Sequence, residues 1–575
     1  MPIAYSDGSE EEILSILRNA TDLSSTSVTA HERYSVWPIR YHLCPERSNL
    51  LRHLDFAGLD VLELGAGLGA VSRFIAENAR SFVAVEGTEI RTQCLRARLR
   101  DMEGWEAAVA NIQDYRTDRR FDAVCLIGVL EYSDVYLDPP DGSSPFEWLL
   151  RHAAGFLKPG GSLIVAIENQ FGVKYWAGAA EDHTGRMFDG VIGYPPGRSP
   201  RTFSRHALRA LLAKAGLTEV EEFYPWPDYK TPTTVIGRTL VERFPDLAGD
   251  MAADAVAHEQ AQQSTYFPWA PAIAEAASGG LLGELSNSFL FVAKTAGSSP
   301  ADTGLLRRLK DQGECAWHYA SMRKEPICTF FARDASPDAA PIVCKRAFGA
   351  ETAPVYATVR RKAVDPTPAL LGHPVLAELR KRARADDRQG FARELERFLR
   401  WAIGLNASGG GALAPRVLDL VTSNAVKTGE SYETFDLEWE ALEPIPPSWF
   451  VLRNLFVARD AVALFPTPPA PSMAAFHAEL CAALGVAPDL DRDIDREARM
   501  QDDVQRNVTF DTARASLRTV FGDRLTPAPY PRDPSVESRR RGLRQPGPSV
   551  AKRIGRLIKS PRALAGAIAR RLRSK

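Results

Sequence analysis

At 575 residues the chain is longer than one hydrophobic core normally organises, so two or three domains are expected. Apolar residues make up 45% and charged residues 25%, a balance that excludes a wholly disordered or membrane-embedded chain. The formal charge of −1 conceals an asymmetry: residues 538–575 hold 13 Arg or Lys and no Asp or Glu, leaving −14 on residues 1–537. A basic tail on an acidic body implies that the tail has a partner of its own.

No apolar run is long enough to cross a bilayer, and the opening MPIAYSDGSEEEILSIL has acids where a secretory signal has bases, so a cytoplasmic location is expected. Seven cysteines (Cys44, Cys94, Cys125, Cys315, Cys328, Cys344 and Cys481) are scattered without a C-x-x-C pair, which favours reduced, packed thiols over disulfides or structural zinc.

After a lead-in over residues 1–30, YHLCPERSNLLR (41–52) reads as a helix packed ahead of the first strand. It is also placed to close over a ligand with His42 and Arg47. From Phe56 to about Lys294, apolar runs alternate with helix-like segments, the pattern of a sheet with crossover helices. The expected strands are 61–64 (VLEL), 82–86 (FVAVE), 123–130 (AVCLIGVL), 162–169 (SLIVAIEN, after a turn at LKPGG) and a closing strand at 287–294 (NSFLFVAK). The small, polar stretch 295–304 sets a boundary, with a linker at 298–304 between a first domain over 31–297 and a second over 305–495. In the second, ICTFFAR (327–333) and PIVCKRAF (341–348) predict a hairpin, and residues 374–405 read as mostly helical. Residues 496–575 read as a polar, then basic, tail, and no internal repeat is present.

The sharpest local signal is VLELGAGLGA (61–70), a strand followed by Gly65, Gly67 and Gly69 and then a helix near Val71. Such glycines let backbone N–H groups approach an anionic ligand at a helix start. Gly65, Gly67 and Ala70 also fit the dinucleotide fingerprint, with Glu86 at the distance of a ribose ligand, so an NAD-dependent dehydrogenase remains the alternative. Three segments taken together, E-x-G-x-G-x-G from Glu63, FDAVCLIGVLEYS (121–133) and FLKPGGSLIVAIEN (156–169), resemble the class I S-adenosylmethionine (SAM) dependent methyltransferase family over roughly residues 40–295. That resemblance implies a Rossmann-like, doubly wound, mostly parallel α/β sheet. Glu63, Gly65, Gly67 and Gly69 would form the cofactor loop, Glu86 would bind the ribose, Asn111 would contact the adenine amine in place of the usual Asp, and Ile112 would pack on the ring.

Loops after the fourth and fifth strands open at the carboxyl edge of such a sheet, where ligands collect. There stand Glu131 and Tyr132, then Glu168 and Asn169, and just downstream FGVKYWAGAAEDHTGRMFDG (171–190), dense in groups that bind sugars or phosphates. A hydroxyl acceptor needs its proton removed, and His183 has the chemistry of a general base, with Asp182 beside it. The alternative is that EDHTG only caps a helix and turns.

In the second region, Asp419 and Asn424 stand five apart as in a kinase catalytic loop, and Asp436 in FDLEW follows where a magnesium ligand would stand. This segment resembles aminoglycoside-phosphotransferase-like kinases, with Lys345 as the phosphate-holding strand lysine and Asn424 and Asp436 as the metal ligands. Val417 departs from the usual His, and DASPDAA is no Gly-rich loop. The whole chain resembles the methyltransferase and kinase fusions of bacterial O-antigen assembly. It implies an O-methyltransferase for a glycan or phosphoglycan, using SAM, with an α+β kinase-like domain that takes ATP and Mg²⁺ or serves only as a scaffold recruiting a glycosyltransferase.

In the tail, Val550, Ile554, Leu557 and Ile558, then Leu564, Ile568 and Leu572, recur at helical spacing beside Arg and Lys. Such basic amphipathic helices suit an anionic membrane surface, here the inner face of the cell membrane and its lipid-linked glycans. A disordered tail, docking onto the acidic body and nucleic-acid binding are the other readings, and no specific nucleic-acid partner is predicted.

Overall fold

The computed structural model describes residues 8–526 and 528, apart from 261–264, 296–302, 335, 337–338, 349–353 and 408–410. The predicted amphipathic tail helices lie outside the described residues.

Five apolar runs form the first parallel layer: β1 (Asp60–Leu64), β2 (Ser81–Glu86), β3 (Trp105–Val109), β4 (Phe121–Ile127) and β5 (Leu157–Glu168). In β1, Val61, Leu62 and Leu64 are all buried, so both faces of the strand are covered, as parallel strands require. Helices Ser72–Asn78, Glu89–Arg98 and Pro145–Ala154 make the crossovers. The LKPGG segment does not precede β5 but opens it, through an irregular pairing in which Phe121 faces Leu157 and Ala123 faces Ser162. The strand expected over 123–130 stops at Ile127, because Gly128 takes φ +69° and turns the chain into the 3₁₀ turn Leu130–Tyr132.

The sheet continues with β6 (Leu217–Trp226), β7 (Thr234–Gly237), β8 (Ser288–Thr295), β9 (Glu314–Ala320), β10 (Ile327–Ala332) and β11 (Ile342–Ala347). Twelve strands run in the order Thr367–Pro368, β11-β10-β9-β7-β6-β8-β5-β4-β1-β2-β3. The layer from β3 to β5 is parallel, and β8 enters antiparallel between β5 and β6. The result is Rossmann-like on its parallel side, but it departs from the all-parallel 3-2-1-4-5-6 order of dinucleotide folds.

The hairpin expected at 327–348 is β10 and β11, and the helices expected at 374–405 are Val375–Arg384 and Arg388–Asn406. The expected division at 298–304 is not a break between separate bodies. β9 pairs with β7 through Thr234, Val235 and Ile236, so the hairpin extends the first domain's own sheet. Trp317 of β9 is fully buried in the core that holds Phe223, Val235, Leu305 and Leu306. A distinct, mostly helical core forms over residues 359–521. The end expected at 495 falls inside the helix Leu490–Val504, and the helix Phe510–Gly522 buries Ala513, Leu517 and Phe521 in the same core. The described residues belong to one compact unit.

All seven cysteines are free, and six are buried. Among the described residues, no helix is long and apolar enough to cross a membrane.

Candidate active site

At the carboxyl end of β1 the chain must reverse in a few residues, and three glycines take left-handed φ values: Gly65 at +83°, Gly67 at +58° and Gly69 at +78°. Side chains rarely adopt such angles. A Cβ on Gly65 would also lie 2.6 Å from Val129 Cγ2, and one on Gly69 would lie 2.7 Å from Leu95 Cδ1. The loop bounds a cavity of about 420 Å³ whose lining includes Glu63, Gly65, Gly67, Glu86, Ile112, Glu131, Tyr132, Asp182 and His183. These nine residues, all singled out in the sequence, are thus brought to one space, and His42, Arg47 and Ala70 line it as well. Gly69 is not among them. Its role is to let the loop pack against the helix Glu89–Arg98.

Glu86 ends β2 with its carboxylate already held. Oε2 accepts from the Gly67 amide at 2.9 Å, and Oε1 accepts from the Thr88 amide at 3.0 Å and hydroxyl at 3.2 Å. Glu63 is buried and accepts from Ser72 Oγ at 2.5 Å, and burial pushes its carboxyl up to about 7. Asn111 is not among the residues that line the cavity. Its side-chain oxygen accepts from the Gln113 amide at 3.1 Å, a local turn that leaves the lining to its neighbours Ala110 and Ile112. The expected adenine contact through Asn111 is therefore not supported by its placement.

The cavity also has charged walls, among them Glu131, Asp182, His183 and Lys230. Glu131 follows β4, Glu168 ends β5, and His183 comes from the loop after the short helix Val173–Trp176. His183 Nε2 lies 3.8 Å from Glu131 Oε1 and 3.9 Å from Glu168 Oε2, while Nδ1 meets Glu181 Oε1 at 3.0 Å. Burial alone would lower this imidazole, but the nearby Glu168, Glu131 and Glu181 carboxylates outweigh it and raise it to about 11. An imidazole that keeps its proton at neutral pH cannot accept another, so the expected base is a cation in this arrangement. Asp182 is not its orienting partner either. That carboxylate turns to Lys174 Nζ at 3.0 Å and Lys230 Nζ at 2.6 Å, and Glu181 orients the ring instead. Tyr132 packs edge-on to His183, with ring centroids 5.3 Å apart.

Glu131 is fully buried, and neither of its carboxylate oxygens has a hydrogen-bond partner. Burial raises its pKa, which suits it to take up a proton.

Residues 36–222 match the family model described as a methyltransferase domain. The chain carries a methyltransferase domain. Solved structures similar to it include the N-methyltransferase NodS of Bradyrhizobium japonicum in complex with S-adenosylhomocysteine, at 18% identity over 28% of this chain and 75% of that one, TM-score 0.20. A SAM-dependent methyltransferase of Thermotoga maritima matches at 17% identity over 48% of this chain and 99% of that one, TM-score 0.26. One from Mesorhizobium loti matches at 17% over 44% and 96%, TM-score 0.26. No curated protein matches the sequence.

The methyltransferase domain's cavity has further walls that the sequence did not single out. Arg91, Tyr229 and Lys230 line it, as do Trp37 and Tyr41, which stack with ring centroids 5.7 Å apart. Arg47 donates to the Lys230 carbonyl at 2.7 Å and lies over the Tyr41 ring. The 41–52 segment is thus both packed lead-in and cavity wall. Tyr229 and Lys230 sit in an ordinary-looking loop after β6, and nothing in their spacing marks them.

Away from this domain, the kinase-like set is only partly assembled. Lys345 on β11 pairs with Asp436 and, at 2.9 Å, with Glu438, the acidic partner that the sequence did not reveal. Asp419 is buried and accepts the Glu438 and Trp439 amides at 2.9 and 3.1 Å, so its carboxylate ties two backbone segments together instead of facing a substrate. Asn424 donates to the Asp419 carbonyl at 3.0 Å. Asn424 and Asp436 share a cavity of about 240 Å³; the Asp436 carboxylate is paired with Lys345, and Asn424 Oδ1 accepts from Ser423 Oγ at 3.2 Å.

Proposed function

We propose that the chain is a SAM-dependent O-methyltransferase that acts on a hydroxyl of a glycan or phosphoglycan in bacterial surface-polysaccharide assembly. The observation that carries this reading is the continuity of one cavity from the glycine loop and Glu86 to Glu131 and His183. Its volume of about 420 Å³ falls within the span of roughly 300–1,000 Å³ usual for small-ligand sites. Gly65 and Gly67 leave room for close approach, Glu86 offers charged acceptors to ribose hydroxyls, and Ile112 offers an apolar face to a base. Bound there, the cofactor would supply an electrophilic methyl group on a sulfonium.

The protein's own task is then alignment and proton removal. Glu131 is the proton acceptor in this reading, since burial favours its protonated form, while His183 and Tyr132 position the acceptor oxygen. Lys174, Asp182 and Lys230 suit a sugar or phosphate group beside it. The antiparallel β8 inside the sheet argues against the dehydrogenase alternative. Mass spectrometry of surface glycans from a strain lacking the gene tests the acceptor class: one methyl group per chain should disappear, and unchanged glycans would refute it.

For residues 305–528 we favour a non-catalytic scaffold over a working kinase, because the Asp419 carboxylate and Lys345 are spent on internal contacts. Absence of Mg²⁺-dependent ATP binding supports the scaffold; ATP binding lost in Asp436→Ala would restore the kinase. The basic tail would hold the enzyme beside lipid-linked glycans.

A further inference from the structure

We infer that Glu131, Glu168 and His183 form a binding site for one divalent cation, such as Mn²⁺, that chelates the hydroxyls of the acceptor. The inference rests on the methyltransferase reading only for what the ion does, not for whether it binds.

Each of the three residues presents one donor atom, and these atoms all lie within 4.8 Å of one another. With ion–ligand distances of about 2.1 Å, tetrahedral neighbours stand roughly 3.4 Å apart and octahedral ones roughly 3.0 Å. The observed 3.8 Å (Glu131 Oε1 to His183 Nε2) and 3.9 Å (Glu168 Oε2 to His183 Nε2) are slightly wider. The ion would displace the proton that His183 Nε2 otherwise holds between the two carboxylates, and small side-chain rotations would close the triangle.

Two further observations separate this cluster from an ordinary group of acids. Both oxygens of Glu131 are buried without a hydrogen-bond partner, and so is Glu168 Oε2, an arrangement costly to leave unfilled. Lys230 engages the other oxygen of Glu168, Oε1, at 2.5 Å and so leaves Oε2 turned to the cluster. The second observation is that His183 Nδ1 meets Glu181 Oε1 at 3.0 Å. A carboxylate on the far ring nitrogen is the arrangement that fixes a metal-binding imidazole, with Nε2 presented to the ion.

Two carboxylate oxygens and one imidazole nitrogen suit Mn²⁺ and neighbouring first-row ions better than Ca²⁺, which takes oxygen donors throughout. Because Glu131 and His183 both line the large cavity, the remaining coordination positions open towards it. Adjacent hydroxyls of a sugar fit such positions, and a coordinated hydroxyl loses its proton more readily. Glu131 would ligate through Oε1 and keep Oε2 for that proton.

The test uses the full-length protein, freed of metal with a chelator, in buffer without cofactor or acceptor. Titration with MnCl₂, followed by loss of the free-ion electron paramagnetic resonance signal, should show one bound Mn²⁺ per chain. Glu168→Gln and His183→Gln should each weaken it at least tenfold, and Glu181→Gln should weaken it less, while all three variants still bind S-adenosylhomocysteine in a parallel titration. A wild-type chain that leaves the signal of 1 mM Mn²⁺ (about the upper limit of useful affinity) unchanged would overturn the site, and so would binding untouched by all three substitutions. A chain that binds Mn²⁺ but not S-adenosylhomocysteine keeps the site and refutes the proposed function; the reverse result refutes the site alone.

Discussion

Replacing Glu86 with alanine should weaken cofactor binding by an amount that can be worked out from its bonds. In the structure the carboxylate is fixed by the Gly67 amide at 2.9 Å and the Thr88 amide at 3.0 Å, so it needs no reorganisation to meet two ribose hydroxyls. A hydrogen bond to a charged group contributes about 1.5–3 kcal/mol, and water entering the vacated space recovers part of two such bonds. A net loss of about 2 kcal/mol is expected, or about 30-fold in Kd. Calorimetric titration with S-adenosylhomocysteine reads this directly, because that ligand cannot react. Glu86→Gln, which keeps one acceptor oxygen and the shape but not the charge, should fall between wild type and alanine. Thermal melting without ligand reports whether the unmade bonds to Gly67 and Thr88 have loosened the loop. A stable Glu86→Ala protein with wild-type affinity would refute the placement of the cofactor.

Three other outcomes follow from the fold. His53 is buried between Phe223 and Trp317, and burial pushes its pKa down from 6.5 to about 3, so the folded state keeps it neutral. The unfolded chain binds the extra proton, so stability is full above pH 6.5 and falls as pH drops towards 3, by about 2 kcal/mol between pH 7 and pH 5. His53→Phe should flatten that slope in denaturant titrations, and an unchanged slope would contradict the argument. Trp317→Ala, at a fully buried position on β9, should cost about 3–5 kcal/mol and lower the melting of the methyltransferase domain as well. Independent melting of that domain would show that the shared sheet does not couple the halves. Truncation at about Gln545 should abolish salt-sensitive flotation with anionic liposomes; equal flotation of both forms, or none, would remove the membrane role of the tail.

The glycine loop and the five anticipated strands were legible because each is a local pattern: an apolar run, then glycines that must turn. β3 was missed because its residues are half-exposed and polar in part, as an edge strand allows. The pairing of β9 with β7 was not legible, since it joins Thr234 to His318 across a polar stretch that reads as a linker. Within the site, Asp182 and His183 are neighbours in sequence, but their side chains diverge, one to Lys174 and Lys230 and the other to Glu181. Asn111 fits a family position in order, but its side-chain oxygen accepts from the Gln113 amide and the residue is not among those that line the cavity. Sequence spacing placed the right residue types near the cavity; which atom faces which depends on packing that spacing does not encode.

The central claim is that the cavity between Gly65 and His183 is a SAM site. Titration of the full-length protein with SAM, S-adenosylhomocysteine and NADH in the calorimeter tests it most directly. One molecule of SAM or S-adenosylhomocysteine should bind per chain, with micromolar affinity (about −8 kcal/mol), and NADH should neither bind comparably nor displace them. Tighter binding of NADH, or no binding of either adenosyl ligand by folded protein, would contradict the account.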